Sequence, residues 1–174
     1  MNSELKCANH LRSGLPRTRL SEMFTKIENK IRNAKKALKQ LHYSPDQISA
    51  KEFHDYMTGE TFSEDTTTLR DVLGNEFLMI HELIEMSELK KMGRKINKHT
   101  VMKSPKAVIY TAHFTAMEQE FRYALLKKDF FWIKVRLRQH KENVLEDDPN
   151  LPEELRPRGE EILKKFKKRV AESA

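Results

Sequence analysis

Apolar residues recur at every third or fourth position over much of the chain. Leu20, Phe24, Ile27, Ile31, Ala34, Leu38 and Leu41 form one series, with Lys26, Lys30, Lys35, Lys36 and Lys39 off it. That spacing predicts an amphipathic helix from about Thr18 to Tyr43. Ser44-Pro45-Asp46-Gln47 supplies a cap, a proline suited to a first turn and a glutamine three positions on, so a second helix reaching about Met57 is expected. Thr58 to Thr67 is rich in turn formers, and its Asp65 and threonines are suited to capping the next helix. A long helix is predicted from Thr68 to Met92, with Gly93 as its stop. Ser104-Pro105 opens another, to about Lys128, and Asp129 can cap a helix from Phe130 to Leu145. Pro149, Pro152, Pro157 and Gly159 then mark a connector before a last helix, Glu160 to Glu172. No strand-like alternation competes. The expected fold class is all-α, a bundle of five or six helices with a long central helix. Residues 1–18 read as a polar arm and 19–174 as one helical domain, in which 146–159 is a proline-rich connector to a basic C-terminal helix.

The central helix carries an anomaly. On a wheel, Leu69, Val72, Leu73, Ile80, Leu83 and Ile84 make one apolar arc with Glu76 projecting from its middle. Leu78 and Leu89 cover much of the other side, where His81, Glu85 and Glu88 share a narrow sector. Acids on a helix that is apolar nearly all round face protein, and a buried carboxylate costs several kcal/mol unless it is paired or bound to a cation. The next helix has Ile109, His113, Met117, Glu120 and Ala124 on one stripe, and the one after it has Ile133, Leu137, His140 and Val144. If the loop after Gly93 makes the first two of these helices antiparallel neighbours, counting back from it sets His113 level with Glu85 and near Glu82, and Glu120 level with Phe77 and near Glu76.

Carboxylates and imidazoles converging between helices are the donor set of a metal site. Glu76, Glu82, Glu85, His113 and Glu120 are the candidate ligands for a divalent ion (Mn, Mg, Fe or Zn), with His81 and His140 in support. HELIE lacks the second histidine of HExxH, and His54-Asp55 is an isolated dipeptide. The same residues also suit ordinary packing: His113 and His140 as core histidines bonded to carbonyls, and Glu76 and Glu120 paired with Arg122, Arg136 or a lysine.

Charge adds a second theme. The net charge is +7, but residues 1–43, 44–88, 89–141 and 142–174 carry +7, −9, +11 and −2 in turn. Lys164, Lys165, Lys167, Lys168 and Arg169 cluster around Phe166, a candidate surface for nucleic acid or another polyanion, although no RRM, KH, zinc-finger or helix-turn-helix signature accompanies them. Trp132 lies off the Ile133 stripe and marks a second packing surface, through which a homo-oligomer could form. Cys7 is the only cysteine, which excludes a thiolate zinc cluster. With no long apolar run and no secretory leader in view, a cytoplasmic protein with no membrane partner is expected. Three functional classes are compatible with these features: a metal-dependent hydrolase acting on phosphorylated substrates, a nucleic-acid-binding helical module, and a structural or adaptor protein without catalytic activity.

Overall fold

The computed structural model describes residues 17–62 and 66–173. Cys7, Asp65 and nearly all of the expected arm lie outside them. Every regular element described is helical: α1 (Arg17–Lys39), α2 (Ala50–Met57), α3 (Leu69–Gly74), α4 (Glu76–Lys91), α5 (Thr100–Lys103), α6 (Lys106–Leu126), α7 (Phe130–Gln139) and α8 (Arg156–Glu172). A π-helical segment, His140–Glu146, continues α7 directly, and a 3-10 turn, Glu153–Leu155, leads into α8. Among the described residues no helix is long and apolar enough to cross a membrane.

The first helix buries the predicted stripe from Ile27 to Leu38, while its lysines stay largely at the surface. It ends earlier than its periodicity suggests because His42 turns left-handed, with φ +56°. That turn directs Tyr43 inward, where it donates to Glu88. Ser44 and Pro45 do not open the second helix. Ser49 does, through a reciprocal cap in which Glu52 N donates to Ser49 Oγ at 3.1 Å and Ser49 N donates to Glu52 Oε2 at 2.8 Å. The backbone of Asp46 is used elsewhere, donating to the buried Ser87 Oγ at 2.8 Å.

The single long helix expected from Thr68 to Met92 is two. Asn75 is extended (φ −134°, ψ 124°) and its side chain accepts from Phe77 N and Leu78 N, so it ends α3 and caps α4. Asn is among the best N-caps, and Gly74 before it is a weak helix former, which together explain the break. A wheel drawn through Asn75 therefore carries a false phase into its first half. The last helix likewise starts earlier than expected, with Pro157 inside its first turn rather than in a connector.

Ten of the sixteen residues of α4 are buried, and α6 is its most extensive neighbour. The two run antiparallel, since Glu85 meets His113 at one level and Phe77 meets Tyr123 further along. The opposite side of α4 takes α1, and α7 with α8 packs across α6. Phe131 is the outward aromatic, 78% exposed, whereas Trp132 stacks on Phe77 with ring centroids 5.2 Å apart. The second packing surface expected at Trp132 is thus an internal one, and Phe131 takes the outward position.

Gly59, after α2, lies where any side chain collides with backbone. A Cβ there would sit 2.5 Å from Lys98 O and 2.9 Å from Asp55 O. The same Lys98 carbonyl accepts Glu60 N at 2.8 Å, so it cannot retreat freely. Gly59→Ala is expected to lower stability by about 1–3 kcal/mol through this overpacking. A urea unfolding midpoint checks it; an unchanged midpoint would mean that the 59–60 and 97–98 segments are loosely held.

Candidate metal centre

The site is built from α4 and α6. His81 and Glu85 are four residues apart and so share a face of α4, and α6 sets His113 opposite them. His81 Nε2 lies 3.2 Å from His113 Nδ1 and 3.3 Å from Glu85 Oε2, while His113 Nδ1 lies 3.0 Å from Glu85 Oε2. These three residues form a group whose donor atoms could share one ion. His81 and Glu85 are buried and His113 is half-buried.

Each of the two α4 residues is held from behind. The Nδ1–H of His81 donates to Glu120 Oε2 at 2.7 Å, and the hydroxyl of Tyr56 donates to Glu85 Oε1 at 2.5 Å. Glu120 is wholly buried and takes three further bonds: Trp132 Nε1 at 2.8 Å, Arg136 Nε at 3.0 Å and the other guanidinium arm at 3.3 Å. A carboxylate bonded to the far nitrogen of an imidazole fixes its tautomer and ring direction, which is how metal-binding histidines are oriented.

The electrostatics follow from this packing. Burial opposes a charge on His81, but the bonds to Glu120 and Glu85 outweigh it and raise the imidazole to about 10. Burial likewise pushes Glu120 up, and Arg136 with His81 holds it down at about 2. His113 and His81 overcome burial at Glu85 and keep its carboxyl well below the usual carboxylate range. Burial and the neighbouring Glu85 and Glu82 push the Tyr56 hydroxyl well above its ordinary value. The centre can hold a cation among its carboxylates, either a proton on His81 Nε2 or a metal ion in its place.

Of the candidate ligands, Glu85 and His113 meet as the count from the loop predicts, and His81 joins them at the centre. Glu82 lines the adjoining cleft together with Tyr56 and all three of the grouped residues. Glu120 sits one step back, behind His81. Counting sets it level with Phe77, but side chains tilt towards the N-terminus of their own helix, and in an antiparallel pair the tilts converge. Glu120 therefore reaches His81, and the partner of Phe77 is Tyr123. Glu76 is apart from the group: exposed in the first turn of α4, it accepts from Tyr123 Oη at 3.2 Å. An acid there suits the positive end of the helix dipole.

His140 is also among the residues of the cleft, fully buried, with its Nε2 2.9 Å from Gly159 O. Burial lowers it to about 4, and the nearby His113 and Arg136 act in the same direction. The unfolded chain therefore takes up a proton before the folded one, so this histidine costs no stability above about pH 6.5 and destabilises progressively as pH falls towards 4. The expected loss is about 3 kcal/mol at most. Urea midpoints at pH 7 and pH 4.5 check this: the difference should shrink in His140→Asn, and an equal difference in both proteins would contradict it.

The five cations Lys164, Lys165, Lys167, Lys168 and Arg169 are exposed along α8, and none lines the cleft. Lys165 meets Glu118 at 3.1 Å and Lys168 meets Glu172 at 3.7 Å. In α2, His54 packs edge-on against Phe24 and Asp55 pairs with Lys51, so that dipeptide belongs to a different surface. Tyr56 escapes sequence reasoning altogether, because a tyrosine in a short helix gives no sign that it faces a glutamate 29 residues on. Trp132 points inward because the cap at Asp129 fixes the register of α7: Trp132 N donates to Asp129 Oδ1 at 2.9 Å. Comparison of the chain with protein-family models, with curated proteins and with solved structures finds no match.

Proposed function

We propose that the chain is a helical bundle built around α4 that holds one divalent transition metal through His81 Nε2, His113 Nδ1 and Glu85 Oε2, and uses it to activate water for hydrolysis. The observation that carries this is the triangle of donor atoms with sides of 3.0, 3.2 and 3.3 Å, beside a cleft of about 820 Å³. Ligands at about 2.0–2.1 Å from a zinc-like ion are separated by roughly 3.3 Å in a tetrahedron and roughly 2.9 Å in an octahedron. The triangle spans that range. Two imidazoles and one carboxylate suit zinc, iron or manganese better than calcium or magnesium, and three protein ligands leave a position for water.

The supporting residues have defined tasks. Glu120 keeps the proton of His81 on Nδ1 and so leaves the Nε2 lone pair for the metal. Tyr56 occupies Glu85 Oε1 and leaves Oε2 to bind. A metal held by His81, His113 and Glu85 would supply the Lewis acidity that brings the pKa of a bound water towards neutrality. Glu82, which also lines the cleft, is the carboxylate to which this reading gives the water's proton. The test is hydrolysis of p-nitrophenyl acetate by zinc-loaded protein. Glu82→Gln should lower kcat by about 100-fold with zinc affinity unchanged, whereas hydrolysis that persists after zinc is removed would overturn the assignment.

A further inference from the structure

We propose that the slot between α7 and α8 binds a single-chain anionic amphiphile, an aliphatic chain ending in a carboxylate, with the chain laid in the slot and its head on the surrounding cations. The slot shares no lining residue with the metal cleft, so this assignment stands or falls independently of the hydrolase reading.

Two helical faces build the slot. Lys134, Arg138 and Lys141 are spaced by four and three, so they share a face of α7 and its continuation, with Leu137 beside them. Lys167, Val170 and Ala171 have the same kind of spacing on α8. Both helices pack on α6, which leaves a furrow between them on the outer side. Leu137 and Val170 form its floor, 3% and 6% exposed, and Ala171 is a short, exposed wall. The space is about 470 Å³, within the range of small-molecule pockets.

The rim carries one sign of charge. Lys134, Arg138, Lys141 and Lys167 are all exposed, and among the described residues no acid lines the slot. Lys141 pairs with Glu146, whereas the side chains of Lys134, Arg138 and Lys167 have no partner among the described residues. Elsewhere on α8, Lys165 and Lys168 are answered by Glu118 and Glu172. Cations gathered without an acid repel one another, and a cleft lined by one sign of charge concentrates ligands of the other.

Depth and rim differ in polarity. The stems of the lysines and of Arg138 add methylene surface below their charged heads. The slot is therefore apolar within and cationic at its mouth, which is the order of groups along an amphiphile. A protein partner fits less well, because a stable interface takes about 20–30 residues a side and seven line this slot. Single-stranded nucleic acid binds through aromatic faces that stack its bases, and no aromatic residue lines the slot.

The test is calorimetry on full-length protein with decanoate, octanoate and decyltrimethylammonium. Decanoate should bind at one site, octanoate about tenfold more weakly for its two missing methylenes, and the cationic amphiphile more weakly than either. Ala171→Trp fills the slot from an exposed position and should weaken decanoate by at least about tenfold. Arg138→Glu should weaken it about fivefold, and it carries the test if Ala171→Trp fails to fold. Lys164→Glu reverses an exposed cation of α8 outside the slot and should leave decanoate binding unchanged. Equal losses in Lys164→Glu and Arg138→Glu would mean adsorption by net charge and would overturn the assignment. Loss of binding in His113→Ala would place the carboxylate at the metal centre and overturn it as well. Uptake of the protein by phosphatidylglycerol vesicles without binding of monomeric decanoate would give this face to a membrane surface and remove the single-chain site.

Discussion

Glu120→Ala is expected to lower the stability of the metal-free protein by about 3–5 kcal/mol. The carboxylate is wholly buried and accepts from His81, Trp132 and Arg136, so its loss strands three donors from two helices in the core. Two of those donors belong to charged groups, because the same carboxylate keeps His81 protonated in the absence of metal and pairs with Arg136. Removing one partner of a buried ionic network exposes the full desolvation cost of the rest, far beyond what an exposed ion pair contributes. Urea unfolding measures it directly. A loss below about 1 kcal/mol would mean that water enters behind α7 and replaces the carboxylate.

His113→Ala is expected to weaken zinc binding by about 100-fold or more while stability changes little. Loss of a group that only orients a ligand costs about 10–100-fold in metal affinity, and loss of the ligand itself should exceed that. His113 is half-buried, 24% exposed at its side chain, and its partners Glu85 and His81 keep each other when it is gone. Glu120→Gln provides the contrast: it keeps a hydrogen-bond acceptor for His81 but no charge, and should reduce zinc affinity by only about 10-fold. Competition against a chromophoric chelator reads all three proteins on one scale. Equal affinities in wild type and His113→Ala would place any bound zinc elsewhere.

The all-helical class and most element positions were legible because periodicity and caps are local signals. Asp129 and the stripe of α1 illustrate this, and so do the errors. Ser44-Pro45 has the composition of a helix start, yet the Asp46 backbone is drawn to Ser87, a residue 41 positions away. The break at Asn75 was hidden because its two flanking helices continue each other's apolarity; the Gly74-Asn75 pair was the signal that could have revealed it.

Within the site, Glu85 and His113 were legible from their level on neighbouring helices, and His81 from sharing a narrow sector with Glu85. Glu76 was misplaced by the false phase across Asn75. Glu120 was displaced one step by side-chain tilt, which a count of Cα positions ignores. Tyr56 and the slot between α7 and α8 had no local signature, since each depends on how separate helices pack. The acidic lining of the cleft likewise joins the 59–62 loop, α4 and the 147–148 turn, which are far apart in sequence.

Zinc K-edge X-ray absorption, on protein stripped with chelator and reloaded with one equivalent of zinc, tests the metal centre most directly. Zinc should be retained at one per chain, with nitrogen and oxygen ligands only at about 2.0–2.1 Å, two imidazoles among them, and one imidazole fewer in His113→Ala. Zinc that passes into the filtrate, or an imidazole count unaffected by that substitution, would contradict the assignment and leave His81 as a protonated link between Glu85 and Glu120.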